Sequence, residues 1–242
     1  EKANGQWTEP KIAPFSGQYS DGSPALSPDG QKLFFSSKRP VGGTAMKSDN
    51  DLWYVERKEN AWSTPTHMEQ VNTDYNEFSP SVDKNGNLYF CSKRPDGIGD
   101  MDIYYSEFEN GIYQSPQLLD TTINSIYQEG NVGVSPNGTL LFVMIQHKPG
   151  DFGYDDIHYS SKKDEQWSEL TNLGEIVNTP TYDFSPKVSP DGATLYFSSR
   201  LNRTYNSIEK AYSFESFQNY LRSPLNGLGN IYQIPIKDLQ LK

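Results

Sequence analysis

Four turns, each Asn or Asp followed by Gly, fall at a nearly even interval along this chain: Asp29-Gly30, Asn85-Gly86, Asn137-Gly138 and Asp191-Gly192. Their glycines lie 56, 52 and 54 residues apart. Each turn is flanked by two short runs rich in aromatic and β-branched residues, as in EFSPSVDKNGNLYFCSKR at residues 77–94, the pattern of a β-hairpin. Such a pair suits a two-residue loop with both central residues at positive φ, so that turn is expected in every copy. Two further markers keep the same beat. Trp7, Trp62, Tyr113 and Trp167 recur at 55, 51 and 54 residues, and between them come Asp51-Leu-Trp, Asp102-Ile-Tyr, Asp156-Ile-His and Asn230-Ile-Tyr.

Each repeat thus holds four strand-like segments, which fits a propeller blade. The expected fold is all-β: a single β-propeller domain over 1–242, most simply four-bladed, with four antiparallel strands per blade and repeats at about 21–74, 75–126, 127–180 and 181–242. Residues 1–20 begin in mid-repeat, and 230–242 reads as a third strand without a fourth. The N-terminal strand is therefore expected to complete the last blade, placing Trp7 and Ile231 in one sheet and leaving no edge unpaired. A parent chain with another N-terminal blade would keep the same phase.

Aromatics make up 13% of the residues against 34% for all hydrophobics, which suits sheets packed through large rings better than a Leu-rich helical core. A formal net charge of −10 opposes a nucleic-acid partner, whose phosphates require clustered Lys and Arg, and an anionic membrane surface. No run approaches the ~20 apolar residues of a transmembrane helix, so membrane insertion is not expected. The single cysteine, Cys91, permits no disulfide framework. The chain starts with Glu rather than Met, and an N-terminal portion such as a signal peptide is expected to have been removed.

The link between the second and third strands differs in each repeat and in the fourth grows to residues 201–229. Within it, 207–221 has apolar residues near helical spacing and is expected to form a short amphipathic helix. Long ordered insertions on a repeat scaffold often carry function. Tyr205, Tyr212, Phe214, Phe217, Tyr220 and Arg222 are thus candidate partner-binding residues; the plainer reading packs these aromatics over the propeller face.

The hairpin SPDGxxLxFSSxR followed by Asp/Asn-Ile/Leu-Tyr/Trp resembles the Pro-Asp propeller repeat of the TolB type, a relative of WD-type repeats. The likeness covers nearly all the chain and is clearest at 27–39 with 51–53 and at 83–94 with 102–104. The lead-ins NTDYNEFSP and NTPTYDFSP are similar to those of small envelope proteins of Gram-negative bacteria built from this repeat. The resemblance implies a periplasmic or secreted protein and, by analogy with TolB, a protein-interaction platform. Gln146 departs from the pattern where Arg39 and Arg94 fit it, Arg200 comes one position early, and Asp83-Lys84-Asn85-Gly86 replaces Ser-Pro-Asp-Gly.

Arg39 with Asp51, and Arg94 with Asp102, stand where an Arg–carboxylate bond would brace a blade. Asp21, Glu77, Glu129 and Asp183 open the four innermost strands. Converging at the axis, they would form a carboxylate ring that recruits a partner's cationic group or a metal ion, Ca²⁺ or Mg²⁺ suiting oxygen ligands; the competing reading turns each sideways onto backbone amides or hydroxyls. The Asp clusters at Asp49 and Asp51, at Asp96, Asp100 and Asp102, and at Asp151, Asp155 and Asp156 lack the EF-hand pattern and read as turn formers. The recurring Trp and Tyr read as packing between blades. His67, His147 and His158 fall at different repeat positions, and neither GxSxG nor a sialidase-type Ser-x-Asp-x-Gly-x-Thr-Trp box occurs. These features favour a non-catalytic module that needs no cofactor and meets a protein of the envelope on its loop-bearing face. The alternative is a propeller binding a cation or glycan at the axial channel, and after it a glycan-active hydrolase or lyase.

Overall fold

All four hairpins form, and each is extended outward from the axis in sequence order. The computed structural model describes residues 2–3, 6–9, 11–42, 44–59, 61–200, 213–222 and 229–241. Blade 1 consists of Asp21–Leu26, Lys32–Ser37, Asp51–Lys58 and the outer strand Thr66–His67. Blade 2 is Glu77–Val82, Leu88–Ser92, Asp102–Ser106 and Gln117–Leu118. Blade 3 is Gln128–Val134, Leu140–Gln146, Asp155–Lys163 and Thr171–Asn172. Blade 4 has, among the described residues, the strands Asp183–Val188, Thr194–Ser199 and Asn230–Pro235. The chain is a four-blade β-propeller arrangement of antiparallel sheets.

The apolar faces of these sheets close on each other, so the core lies between blades. Phe34, Leu52, Leu88 and Phe90 fill the first junction, Tyr89, Ile103, Leu141 and Val143 the second, and Phe142, Ile157, Leu195 and Phe197 the third. Two of the recurring aromatics wedge these junctions: Tyr113 meets Phe34 edge-on with ring centroids 6.4 Å apart, and Trp167 meets Tyr89 at 6.2 Å, while Trp62 packs against Phe35, Trp53 and Val55. At the third junction the backbones themselves meet. A Cβ on Gly133 would lie 2.4 Å from the Pro186 carbonyl, so only glycine fits there.

Two local expectations need correction. The turn glycines have positive φ, from 71° at Gly30 to 90° at Gly86, but the preceding Asp or Asn does not. Gly30 N donates to Ser27 O, a three-residue step in which Pro28 takes the second position of a type I turn. The Asp29 carboxylate then accepts from Gln31 N and Ser27 Oγ, tying the turn down through its side chain. The innermost strands, moreover, are not plain strands. Ser23, Ser79 and Ser185, each before a proline, take φ near 50°, and the pairing register shifts there.

The largest correction concerns closure. Trp7 pairs with Lys2 in a small hairpin, while Ile231 pairs with Ser198, so the two lie in different sheets. The first hairpin copies the register of Arg57 with Trp62, Phe108 with Tyr113 and Lys162 with Trp167. The reason lies in a polar bracket that joins each of the first three blades to the next. Asn72 accepts from Leu52 N at 2.7 Å and donates to Leu52 O at 2.9 Å. Asn124 brackets Ile103, and Asn178 brackets Ile157, in the same way. Blade 1's lead-in carries Phe15-Ser16 where the others carry Asn with Thr or Ser, so it has no bracket to offer blade 4. Correspondingly, among the described residues the inner strands of blades 4 and 1 do not pack side by side as the others do.

Candidate functional site

Strand register decides which loops share a face. Asp21 pairs with Ser37, and Ser37 with Asp51, so the start of the inner strand, the end of the second and the start of the third lie at one end of the blade. The second-to-third links and the outer-to-inner lead-ins therefore share one face of the propeller.

Beneath this face each strand-opening carboxylate is turned sideways. Asp21 accepts from Ser37 Oγ at 2.6 Å, Arg39 Nη2 at 2.7 Å and Ser16 Oγ at 2.8 Å. Glu77 accepts from Thr73 Oγ1 at 2.6 Å, Ser92 Oγ at 3.0 Å and Arg94 Nη2 at 3.2 Å. Glu129 takes the hydroxyl and N–H of Ser125, and Asp183 those of Thr179. The acid opens its strand four residues after this Ser or Thr, five in blade 1, so the lead-in hydroxyl closes on it. The axial ring of Asp21, Glu77, Glu129 and Asp183 therefore does not form. Among the described residues no three His, Cys, Asp or Glu side chains come together as a metal site.

The arginines also differ from expectation. Arg39 and Arg94 reach back to Asp21 and Glu77, not across to Asp51 and Asp102. Arg39 donates to the Phe15 carbonyl and lies over the Phe35 ring, and Arg94 donates to the Val71 carbonyl and lies over Tyr104. Asp51 instead takes Lys47 at 2.6 Å and His67 at 2.8 Å, while Asp102 and Asp156 accept loop N–H groups of Ile98, Gly99, Phe152 and Gly153. Those two aspartates are the turn formers the sequence suggested.

Proton affinities follow this wiring. Burial raises the Asp21 carboxyl, but bonds from Ser37, Arg39 and Ser16 outweigh it and hold it below its ordinary value. Glu77 and Asp183 are raised, burial exceeding the bonds each receives. In blade 3 the register puts His147 where Arg39 and Arg94 stand, no arginine is among the groups acting on Glu129, and burial pushes it up to about 7, which Ser125 only partly offsets. His158 is buried against Asp151, and burial pulls its pKa down; His147 is exposed, edge-on to Tyr154.

The charge that does reach the axis is positive. A cleft of about 190 Å³ is bordered by Pro24, Ala25, Ser81, Val134, Lys187 and Tyr196. Lys187 Nζ crosses it, donating to Pro80 O at 2.8 Å and Val132 O at 2.9 Å in two other blades. Burial pulls the ammonium pKa down to about 8.

Apolar side chains also stand exposed on this face, among charged ones such as Lys93 and Asp100. Met46, Ile98, Phe152 and Tyr154 stand exposed on the second-to-third links of blades 1 to 3. Tyr75, Ile126 and Ile176 add to them from the lead-ins. In the long insertion a helix spans Phe214–Leu221, the second half of the segment read as helical. Phe214 and Phe217 are 78% and 45% exposed. Arg222 follows, also exposed, and Tyr220 lies within the helix. Tyr205 and Tyr212 lie outside the described residues.

No family model matches the chain, and no curated protein matches it. Solved structures do. An α-L-arabinofuranosidase from Lactobacillus brevis is 16% identical with a TM-score of 0.52, over 89% of this chain and 72% of that one. A TolB protein from Agrobacterium tumefaciens is 16% identical with a TM-score of 0.46, over 78% and 73%. A puromycin-hydrolyzing peptidase of Mycobacterium tuberculosis is 17% identical with a TM-score of 0.44, over 74% of this chain and 25% of that one. At such identities the likeness is one of fold.

Proposed function

We propose that this chain is a non-catalytic recognition module of the bacterial envelope, periplasmic or secreted, that captures a protein partner on its loop-bearing face. One observation carries the reading: exposed aromatic and aliphatic side chains gather on that face, from the links of blades 1 to 3 and from the insertion helix. Exposed apolar side chains collected on one face mark a place where proteins meet, and aromatic anchors dominate the energy of such contacts. The groups below it support a rigid platform. Asp21, Glu77, Arg39 and Arg94, which a hydrolase would aim at substrate, are held by internal bonds. The TolB-type repeat agrees with this role, and its location in the envelope comes from that resemblance.

The test compares a triple and a double variant of the full chain as bait in native envelope extract. Tyr154→Ser with Phe214→Ser and Phe217→Ser is expected to reduce recovery of the specific partner at least ~10-fold, a loss of about 1.4 kcal/mol. Leu26→Ser with Ile112→Ser, on the opposite face, is expected to leave recovery unchanged. Equal recovery by both variants would refute the assignment of the face. Surface changes of this sort shift stability by only about 0.5 kcal/mol, so melting curves of both should overlay the parent's.

A further inference from the structure

Five residues before the turn glycine, the inner strands carry Ala25, Ser81, Gly133 and Lys187 in turn. Three of these are small, and the lysine reaches across the space they leave. It ties blade 4 to blades 2 and 3 through the Pro80 and Val132 carbonyls, which accounts for two of its three N–H groups. Among the described residues the third N–H has no acceptor, and no carboxylate pairs with the ammonium. A cation taken out of water without a counter-charge is unfavourable, and a bound anion offsets that cost. The lysine is half-buried and borders the axial cleft of about 190 Å³, so the charge is accessible from it. The other walls are mostly apolar, with Ala25, Val82, Val134, Pro136 and Tyr196 among them. The turn prolines Pro28, Pro136 and Pro190 edge the cleft, at the opposite end of the inner strands from the loop-bearing face. Blade 2 has Lys84 in place of that proline, exposed and with its N–H donating to Pro136 O at 2.8 Å, so a second positive charge stands beside the rim. The nearby turn carboxylates are engaged within their own turns. Asp29 accepts from Ser27 and Gln31, Asp83 from Asn85 and Asn87, and Asp191 from Ser189 and Ala193.

We infer that this cleft binds a small monocarboxylic acid with an apolar body of about one ring, its carboxylate on Lys187 and its ring against Val82, Val134 and Tyr196. The charge-assisted bond to the free N–H supplies orientation, and the apolar walls supply the rest of the contact. Size agrees with this ligand. A cavity of about 150 Å³ holds benzene, so the cleft has room for a ring and a carboxylate. A sugar fits the chemistry poorly, because most of its hydroxyls would face proline and valine without a partner. The site lies away from the face that captures protein, and neither reading depends on the other.

The experiment titrates phenylacetate into the isotope-labelled full chain and follows backbone amides by NMR. Saturable shifts should appear at Ser81, Val134 and Lys187 and be absent from the links around Ile98 and Phe152. Phenylacetamide, the neutral isostere, should bind at least ~10-fold more weakly, a difference of about 1.4 kcal/mol. That comparison needs no variant, so it holds even where changing the interblade tie unfolds the chain. Lys187→Gln, where folded, should lose phenylacetate binding. Affinity should also fall as pH rises through about 8, where burial places the ammonium pKa, because only the protonated amine pairs with the acid. Among the described residues Cys91 is the one titratable group acting on that amine, and burial raises its pKa and keeps it a thiol. Equal binding of acid and amide would overturn the inference, as would full binding by folded Lys187→Gln. So would the absence of saturable shifts at these amides with phenylacetate, benzoate and isovalerate alike.

Discussion

Replacing Asn124 by Ala should destabilise the chain by about 4 kcal/mol, the largest loss expected from any single side chain here. Its Oδ1 accepts from Ile103 N at 2.7 Å, and its Nδ2 donates to Ile103 O at 2.9 Å and Leu119 O at 2.8 Å. The residue is buried, so truncation strands one N–H and two carbonyls where water cannot reach them. Each buried group left without a partner costs about 1–3 kcal/mol. Asn124→Asp should be nearly as damaging, because it keeps the acceptor for the N–H but turns an oxygen toward both carbonyls. Urea midpoints measure both. A loss below about 1 kcal/mol for Asn124→Ala would mean the bracket is incidental to how blades join.

The second large effect is a contrast between two carboxylates at equivalent positions. Asp21→Asn leaves the Arg39 guanidinium buried without its counter-charge and should cost about 3 kcal/mol at neutral pH. Because the folded pKa of Asp21 is depressed, its contribution is present above the ordinary carboxylate range and is lost as pH falls through the folded value. Glu129 behaves oppositely. Its folded pKa of about 7 lies above the reference 4.5, so its favourable contribution is complete below 4.5 and is lost as pH rises through 7. Ionising it in place costs on the order of 3 kcal/mol. Glu129→Gln should therefore be close to neutral at pH 5 and clearly stabilising at pH 8.5, while Asp21→Asn destabilises at both. Melting curves at the two pH values decide it; equal shifts of Glu129→Gln at both would show that the carboxyl is not held neutral.

Much of the architecture was readable from residues alone because it is written four times. The turn glycines, the recurring aromatics and the third-strand starts each recur in phase, and the glycines do one job in every blade. What failed to read were features in which one copy differs or a side chain turns. An acidic residue opening an inner strand says nothing of its rotamer; the Ser or Thr four residues earlier does, and NTDYNE and NTPTYD contain it. The bracket asparagines recur at 72, 124 and 178, so the signal was present, and its absence from residues 11–20 marked the failed closure. Pro28 and Pro190, at the second position of their turns, set the turn type ahead of the Asp-Gly that follows them. Lys187 stands where the other inner strands have Ala25, Ser81 and Gly133. That its ammonium crosses the axis depends on distances between blades, which no spacing along the chain encodes.

Two surfaces thus compete as the place where the protein partner is recognised: the loop-bearing face and the cleft around Lys187. Hydrogen-exchange footprinting of the chain with its captured partner separates them most directly. The account predicts slowed exchange in the links around Met46, Ile98 and Phe152 and in the helix Phe214–Leu221, with the inner strands at Ser81 and Lys187 unchanged. Slowed exchange confined to the inner strands bordering the cleft, with the links as fast as in the free chain, would contradict it.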